Sequence, residues 1–189
     1  MNYELIIESI AVATGLLSVW YSKKINVLVF PIGIISVLLY VFIFIKNGLF
    51  ANAVINFMYF VISVFGWWNW KKAKGQRPKA KELSVTFLNT RQRILTLATI
   101  IVLLIISKIL SSDIPTFLDY FTGVLGLGGM FLTALKKVEN WVLYLLCDII
   151  LIPLCIYNEL YLTVLQYIIY AIIAVMGYVS WSKEAKKNV

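Results

Sequence analysis

The polar and charged residues of this chain gather in short clusters, and seven long apolar runs separate the clusters. In a helix, which rises about 1.5 Å per residue, each run is long enough to reach across the hydrocarbon core of a bilayer. The predicted membrane helices are Leu5–Tyr21, Ile25–Ile45, Leu49–Trp70, Ile94–Leu110, Thr116–Leu135, Trp141–Tyr157 and Leu160–Trp181. The pattern therefore predicts an all-α integral membrane protein with seven transmembrane helices.

A second pattern is an internal repeat, in which similar residues recur at one constant offset along the numbering. Matched pairs at this offset are Asn47 with Asn158, Leu49 with Leu160, Tyr59 with Tyr170, Gly66 with Gly177, and Trp70 with Trp181. We call the spacing that these pairs share the repeat offset. Upstream of them, Lys23–Asn26 resembles Lys136–Asn140 if one residue is inserted in the second copy. A duplicated membrane unit commonly places a substrate site between its two halves, so the function is expected there.

The repeat divides the chain into segments. Residues 1–70 form the first three-helix repeat, 71–93 a basic cytoplasmic linker, 94–110 a connector helix, and 116–189 the second repeat with its basic tail. Because three is an odd number of crossings, a direct join would invert the second repeat. The connector helix restores its direction, so the predicted architecture is two parallel three-helix repeats in a 3+1+3 arrangement.

Composition and charge agree with a membrane protein and predict its orientation. Hydrophobic residues make up 61% of the chain and charged residues only 14%, which is outside the range of soluble globular domains. The net charge of +8 would suit nucleic acid, but seven crossings place 15 of the 17 Lys and Arg residues on one side of the bilayer. The positive-inside rule makes this side cytoplasmic and puts the N-terminus outside. The charge therefore indicates topology, and no nucleic-acid partner is expected.

Several kinds of chemistry lack the residues that they need. There is no histidine, and Cys147 and Cys155 lie eight residues or about 12 Å apart on one predicted helix, too far to form a disulfide with each other. Metal sites, cofactors and His-dependent acid–base catalysis are therefore not expected. No Gly-rich run ending in Gly-Lys-Ser/Thr offers an ATP site. An enzyme is poorly supported.

Polar and aromatic side chains inside the predicted helices are the candidate substrate contacts. They are Asn52, Asn56, Tyr59, Trp67 and Trp70 in the third helix, Trp141, Tyr144 and Asp148 in the sixth, and Gln166, Tyr167 and Tyr170 in the seventh. Lipid does not satisfy an amide, and an ionised carboxylate inside a bilayer usually faces a cavity or a partner. Helix-to-helix hydrogen bonds are the alternative for Asn56, Gln166 and Asp148. Trp68 and Trp181, at the cytoplasmic ends of their helices, are interpreted as interfacial anchors.

Short motifs in four of the helices point to a family. They are Pro31–Ser36, Gly66–Trp70, Asn140-Trp141 leading to Asp148, and Gly177-Tyr178 with Trp181. Together they resemble the PnuC-type bacterial vitamin transporters over nearly the whole chain. The resemblance implies a 3+1+3 fold related to the SWEET and semi-SWEET sugar transporters, in the bacterial cytoplasmic (inner) membrane. It also implies facilitated diffusion of an unphosphorylated vitamin by alternating access, with trapping by a separate cytoplasmic kinase.

Nicotinamide riboside is the substrate that the resemblance favours, and its chemistry suits the candidate residues. Its flat pyridinium cation would attract aromatic faces and the Asp148 carboxylate, while side-chain amides would pair with its carboxamide and hydroxyls. Thiamine is also a flat cation, so thiamine or another flat vitamin such as riboflavin is the alternative. A non-transporting membrane scaffold or receptor is the second alternative. Assembly into a homo-oligomer is left open.

Overall fold

A computed structural model of the chain describes residues 3–75, 83–157, 159 and 161–187. Almost all of these residues lie in seven α-helices. The helices are α1 (Tyr3–Lys23), α2 (Val29–Lys46), α3 (Phe50–Gly75), α4 (Thr90–Leu110), α5 (Ile114–Ala134), α6 (Asn140–Tyr157) and α7 (Tyr161–Lys187). The prediction of an all-α fold with seven helices is confirmed.

Six of the helices, α2 to α7, contain stretches that are long and apolar enough to cross a membrane. Each of these stretches covers at least 18 residues with few charges. Helix α1 has a comparable length of 21 residues, but it carries Glu8 near its start and Lys23 at its end. The protein is therefore a multi-pass membrane protein, and a crossing by α1 stays a prediction.

Four helix boundaries differ from the predicted ones by four or more residues. Helix α2 begins at Val29 and not at Ile25, because Ile25 is in the left-handed conformation and belongs to the preceding turn. Helices α3 and α7 continue past their last tryptophans to Gly75 and Lys187, because lysine-rich segments favour helix once a helix has been nucleated. Helix α4 begins at Thr90, earlier than predicted, because Asn89 and Gln92 form a reciprocal capping box. In it the Asn89 side chain accepts from the Gln92 amide at 2.9 Å and the Gln92 side chain accepts from the Asn89 amide at 3.0 Å.

The helices belong to two compact units. Unit 1 takes the described residues up to Ser84 together with Thr133–Lys136, and unit 2 takes Val85–Leu132 and the described residues from Lys137 onward. In unit 1, α1 packs on α2 and α2 on α3. In unit 2, α6 packs on α7, and a core cluster forms around Leu88, Leu125, Leu132 and Leu143.

Buried serines tie α1 to α2 in unit 1. The Ser18 hydroxyl donates to the carbonyl of Val29 at 2.7 Å, and the Ser36 hydroxyl donates to the carbonyl of Ala11 at 2.7 Å. Both serines are buried, and small polar residues of this kind let membrane helices approach closely.

The turns between helices recur at the repeat offset. Ile25 and Lys136 have φ values of 54° and 53°, and Gly48 and Glu159 have φ values of 72° and 58°. The members of each pair are related by the repeat offset. A left-handed residue other than glycine costs about 1–2 kcal/mol, so its recurrence at matched positions indicates the same turn.

The backbone hydrogen bonds of these turns match as well. Ile25 N donates to Ser22 O and Asn26 N to Tyr21 O at 2.9 and 3.0 Å, while Lys136 N donates to Thr133 O and Lys137 N to Leu132 O, both at 2.9 Å. Every atom pair keeps the repeat offset, so no residue is inserted in the second copy. The predicted insertion is therefore wrong. The insertion came from aligning Lys23 with Lys136 because both are lysines. Lys136 is the left-handed residue of its turn, whereas the left-handed residue of the first turn is Ile25, which comes after Lys23.

Candidate functional site

Trp141 lies at the start of α6 and is enclosed by α7. Its ring fills the space above Gly177, where an added Cβ would come within 2.5 to 2.6 Å of three ring atoms. The Trp181 ring meets it edge-on at 5.7 Å between centroids. Trp141 is 1% exposed and Trp181 is completely buried. The interpretation of Trp181 as an interfacial anchor is therefore wrong, because the residue packs inside unit 2; Trp68, by contrast, is 56% exposed.

The indole N–H of Trp141 has no hydrogen-bond acceptor among the described residues. A buried donor without a partner is rare in native proteins and costs about 1–3 kcal/mol. Tyr144, one turn further along α6, lies against Gly129, where a Cβ would come within 2.7 Å of the phenol ring. Its hydroxyl contacts Met130 Sδ at 3.6 Å. The N-terminal half of α6 thus combines tight aromatic packing with one buried donor to which the described residues offer no acceptor.

Asp148 follows two turns later and is only 5% exposed. It is the one carboxylate in α6. The Tyr167 hydroxyl of α7 lies close enough to Asp148 and Tyr170 to interact electrostatically with both. Gln166 Nε2 donates to the Tyr170 hydroxyl at 3.2 Å, and the rings of Tyr167 and Tyr170 lie 6.3 Å apart. We call Asp148, Gln166, Tyr167 and Tyr170 the α6–α7 cluster.

The electrostatic character of the α6–α7 cluster follows from its surroundings in the sequence. No lysine or arginine occurs from Val138 to Ser182. The cluster therefore joins one buried carboxylate to phenols and an amide, with no basic side chain on either helix at this depth. Such a set attracts a flat organic cation through the carboxylate and the ring faces. Its amide and hydroxyls can bond the cation's polar substituents.

In unit 1, Trp70 is a packing residue. Its indole N–H donates to the carbonyl of Ala134 at 3.2 Å, and Asn69 Nδ2 donates to the same carbonyl at 2.9 Å. The Phe30 ring meets the Trp70 ring edge-on at 5.0 Å, and the Lys136 ammonium lies 4.7 Å from the ring centroid. With its polar atom bonded and its ring only 5% exposed, Trp70 stabilises the end of α3.

The other predicted contacts of unit 1 are spread along α3. They are Asn52, Asn56, Tyr59 and Trp67, all half-buried. Asn56 Nδ2 donates to the carbonyl of Asn52 at 2.9 Å, which orients the Asn56 amide along its own helix. The Lys71 ammonium lies 4.4 Å above the Trp67 ring. These residues remain predicted contacts, and each already has local interactions within α3 or around it.

One cavity in unit 1 lies away from all of these residues. Its volume is about 100 Å³, which is below the size of a typical small-molecule site. Its lining consists of Ile7, Glu8, Phe42, Ile43, Lys46 and Asn47. It contains none of the predicted substrate contacts.

The role of Phe30, an aromatic ring that packs between helices, was not predicted from the sequence. Phe30 packs against Gly66 and Trp70 just as Trp141 packs against Gly177 and Trp181. Phe30 and Trp141 are themselves related by the repeat offset. The offset that matched the glycines and tryptophans could have found this ring as well. Its change from Phe to Trp hid the equivalence.

A statistical model of the nicotinamide mononucleotide transporter family matches residues 5–183. The chain belongs to this family. It is therefore a membrane transporter of the PnuC type and not an enzyme, which confirms the resemblance drawn from the sequence motifs.

Individual relatives agree with the family. The nicotinamide riboside transporter PnuC of Escherichia coli (strain K12) is 25% identical over 208 residues, which cover 96% of this chain and 87% of the relative. The nicotinamide riboside transporter PnuC of Neisseria mucosa is 29% identical over 195 residues, covering 96% and 74%. A crystal structure of the vitamin B3 transporter PnuC matches with a TM-score of 0.79 and 27% identity, covering 100% of this chain and 85% of that one.

Proposed function

We propose that this chain carries nicotinamide riboside across the cytoplasmic membrane by facilitated diffusion. The observation that carries the proposal is the α6–α7 cluster, in which the buried carboxylate of Asp148 lies within electrostatic range of Tyr167 on the packed helix α7. The riboside presents a fixed cationic ring, a carboxamide and ribose hydroxyls. Each of these groups has a complementary side chain in the cluster.

The charge of the cluster favours the riboside over the mononucleotide. A mononucleotide carries a phosphate as well as the pyridinium, and phosphate recognition usually employs Arg, Lys or a helix N-terminus. The absence of Lys and Arg from Val138 to Ser182 leaves nothing cationic on α6 or α7 at the depth of Asp148. A phosphate there would meet a carboxylate, phenols and one amide, with no cationic side chain on either helix. The names of the curated relatives, which specify the riboside, support the same choice.

The candidate contacts take different roles in this proposal. Asp148 complements the ring charge, and the rings of Tyr167 and Tyr170 offer faces to the cation at about 0.5–2 kcal/mol per contact. Gln166 bonds the carboxamide or a hydroxyl, and Trp141 offers its indole N–H. Trp70 and Tyr144 act by packing. The half-buried residues of α3 stay predicted substrate contacts, namely Asn52, Asn56, Tyr59 and Trp67.

The proposed architecture is two parallel three-helix repeats joined by α4. Two features support it: the same left-handed turns recur at the repeat offset, and each copy sets an aromatic ring against a glycine, Phe30 on Gly66 and Trp141 on Gly177. In this arrangement residues 1–70 and 116–189 are the repeats and 71–93 the linker. With α1 as a seventh span, the placement of basic residues puts the N-terminus outside and the C-terminus in the cytoplasm.

Facilitated diffusion only equilibrates a substrate, so accumulation needs a separate step. We assign that step to a cytoplasmic kinase, because a phosphorylated riboside carries the charge that the α6–α7 cluster disfavours. Self-assembly of the chain is compatible with the long exposed apolar face of α4, which includes Ile94, Leu97, Ile101 and Ile105.

The test measures uptake of labelled nicotinamide riboside into proteoliposomes containing the purified chain. Unlabelled nicotinamide riboside should compete, whereas thiamine and riboflavin should compete weakly. Reduced nicotinamide riboside has the same shape without the ring charge, so it isolates the role of Asp148. We expect D148N to weaken the affinity for the oxidised riboside about tenfold or more, since a lost charge-assisted contact is worth about 1.5–3 kcal/mol. The affinity for the reduced riboside should fall much less.

D113N is the matched control, because it removes the same charge from the exposed start of α5 while asparagine still caps the helix. It should transport like the parent protein. Equal loss of both ribosides in D148N would show that Asp148 is structural. Uptake of labelled thiamine by the same proteoliposomes, with no riboside uptake, would replace the substrate assignment.

A further inference from the structure

The linker before α4 is attached to the turn that leads into α6. Within unit 2, Val138 N donates to Thr86 O at 3.1 Å, and Lys137 Nζ donates to Thr86 Oγ1 at 2.8 Å. Val85, Leu88 and Val138 are buried around these bonds. The segment Val85–Asn89, which we call the linker segment, was expected to be a polar connection. Its apolar residues instead enter the core of unit 2.

Glu139 makes a second attachment, to Leu88. Both of its carboxylate oxygens accept from the backbone N–H of Leu88, each at 3.0 Å. Arg93 closes the arrangement from α4, with Nε donating to the carbonyl of Leu88 at 3.0 Å and Nη2 lying 3.5 Å from Glu139 Oε1. Leu88 is thus held at both its N–H and its carbonyl. The ion pair itself is partly exposed, so the bond to the Leu88 N–H is the stronger element.

The first copy of the repeat lacks this attachment. The position that corresponds to Glu139 by the repeat offset is Leu28, whose backbone N–H is bonded by Asn26 Oδ1 within its own turn at 3.0 Å. The turn before α2 is therefore closed by a local side chain. At the start of α6, the Glu139 carboxylate instead accepts from the Leu88 N–H of the linker segment.

Glu139 also lies next to the candidate site in the sequence. Asn140 and Trp141 follow it directly and are 0% and 1% exposed. A residue fixed to the linker segment thereby sets the first turn of α6, from which the Trp141 ring extends onto Gly177.

We propose that Glu139 is a positioning residue for transport, which fixes Trp141 by fastening the first turn of α6 to the linker segment. The proposal deepens the transport function above and rests on it. It makes the linker a coupled part of the transport unit. Displacing the linker segment releases the start of α6 and weakens substrate binding.

The first arm of the test measures amide hydrogen exchange on the full chain in lipid nanodiscs. E139A should accelerate exchange about tenfold or more in peptides covering Val85–Asn89 and in those covering the first turns of α6, since a broken hydrogen bond exposes the amide. E139Q keeps an acceptor for the Leu88 N–H and should accelerate it less. E184A is the control, because Glu184 is a half-exposed acid near the end of α7 that pairs with Lys187 at 3.1 Å; it should leave both regions unchanged.

The second arm measures riboside uptake as separate KM and Vmax values. E139A should raise KM about fivefold or more, E139Q should recover part of the loss, and E184A should match the parent protein. Unchanged exchange in the linker segment of E139A would overturn the attachment. Accelerated exchange there with unchanged exchange in α6 would overturn the positioning role. If the parent protein carried no riboside, the proposed function would fail, and the exchange arm would still decide whether Glu139 fastens α6.

Discussion

Replacing Gly177 with alanine tests whether the Trp141 ring is fixed against α7. A Cβ at this position would lie 2.5 to 2.6 Å from Cε2, Cδ2 and Cζ2 of Trp141, whereas ordinary van der Waals contact begins at 3.4 Å. The ring would have to retreat by most of an ångström. Trp181 blocks that retreat, because it is completely buried and meets the ring edge-on at 5.7 Å.

The energetic cost follows from two opposing effects. Overpacking a well-packed interior costs about 1–3 kcal/mol, occasionally more. Alanine recovers up to about 1 kcal/mol through its higher helix propensity. We therefore expect G177A to lower stability by about 1–2 kcal/mol, which corresponds to a Tm lower by about 2–8 °C for a chain of this size. Riboside affinity should fall too, since the Trp141 indole moves with its ring.

The assay is thermal unfolding in detergent, followed by riboside uptake in proteoliposomes. G128A on α5 is the matched control. A Cβ there would lie 3.2 Å from one terminal methyl of Leu143, which can rotate away, so G128A should be neutral or slightly stabilising. A G177A protein with unchanged Tm and unchanged uptake would refute the packing that we describe for the start of α6.

Three further predictions concern unit 1 and the start of α5. N69A removes one of two donors to the Ala134 carbonyl and should cost about 1 kcal/mol in thermal stability. Adding W70F should cost more than the sum of the two single changes, because the buried carbonyl then loses both donors; additive losses would contradict the shared acceptor. Asp113 accepts from the backbone N–H of Thr116 at 2.7 Å, and this bond, with the hydroxyls of Thr116 and Ser112, lowers its pKa below the usual range. D113A should therefore lower the Tm at neutral pH, and its difference from the parent should disappear as the pH falls through the folded-state pKa of Asp113; a difference that persisted in acid would contradict the capping role.

Hydropathy alone predicted the seven helices, because the free energy of transfer into lipid dominates a membrane span. It placed the end of α3 at Trp70 and the end of α7 at Trp181, since it registers where apolar residues stop. The helices continue because lysine does not terminate a helix. The start of α4 was missed for a related reason: the Asn89 and Gln92 capping box lies in a polar stretch to which hydropathy assigns no structure.

The candidate site was harder to predict, because apolarity does not distinguish a side chain that faces lipid from one that faces protein. Tryptophan is the residue type typical of interfacial belts, yet the structure buries Trp70, Trp141 and Trp181. Their burial depends on glycines elsewhere in the sequence, namely Gly66 beside Phe30 and Gly177 beside Trp141. The burial of Asp148 was easier to predict, because a carboxylate in mid-helix is costly anywhere except against protein, water or a ligand.

The most direct test of the proposed function is equilibrative uptake by the chain alone. Purified protein in sealed liposomes, without nucleotide, kinase or ion gradient, should admit labelled nicotinamide riboside saturably until its concentrations inside and outside are equal. Riboside kinase and ATP enclosed in the same liposomes should then raise the internal label above that level. Nicotinamide mononucleotide outside should neither enter nor compete strongly. Absence of riboside entry, or entry of the mononucleotide at a comparable rate, would contradict the account.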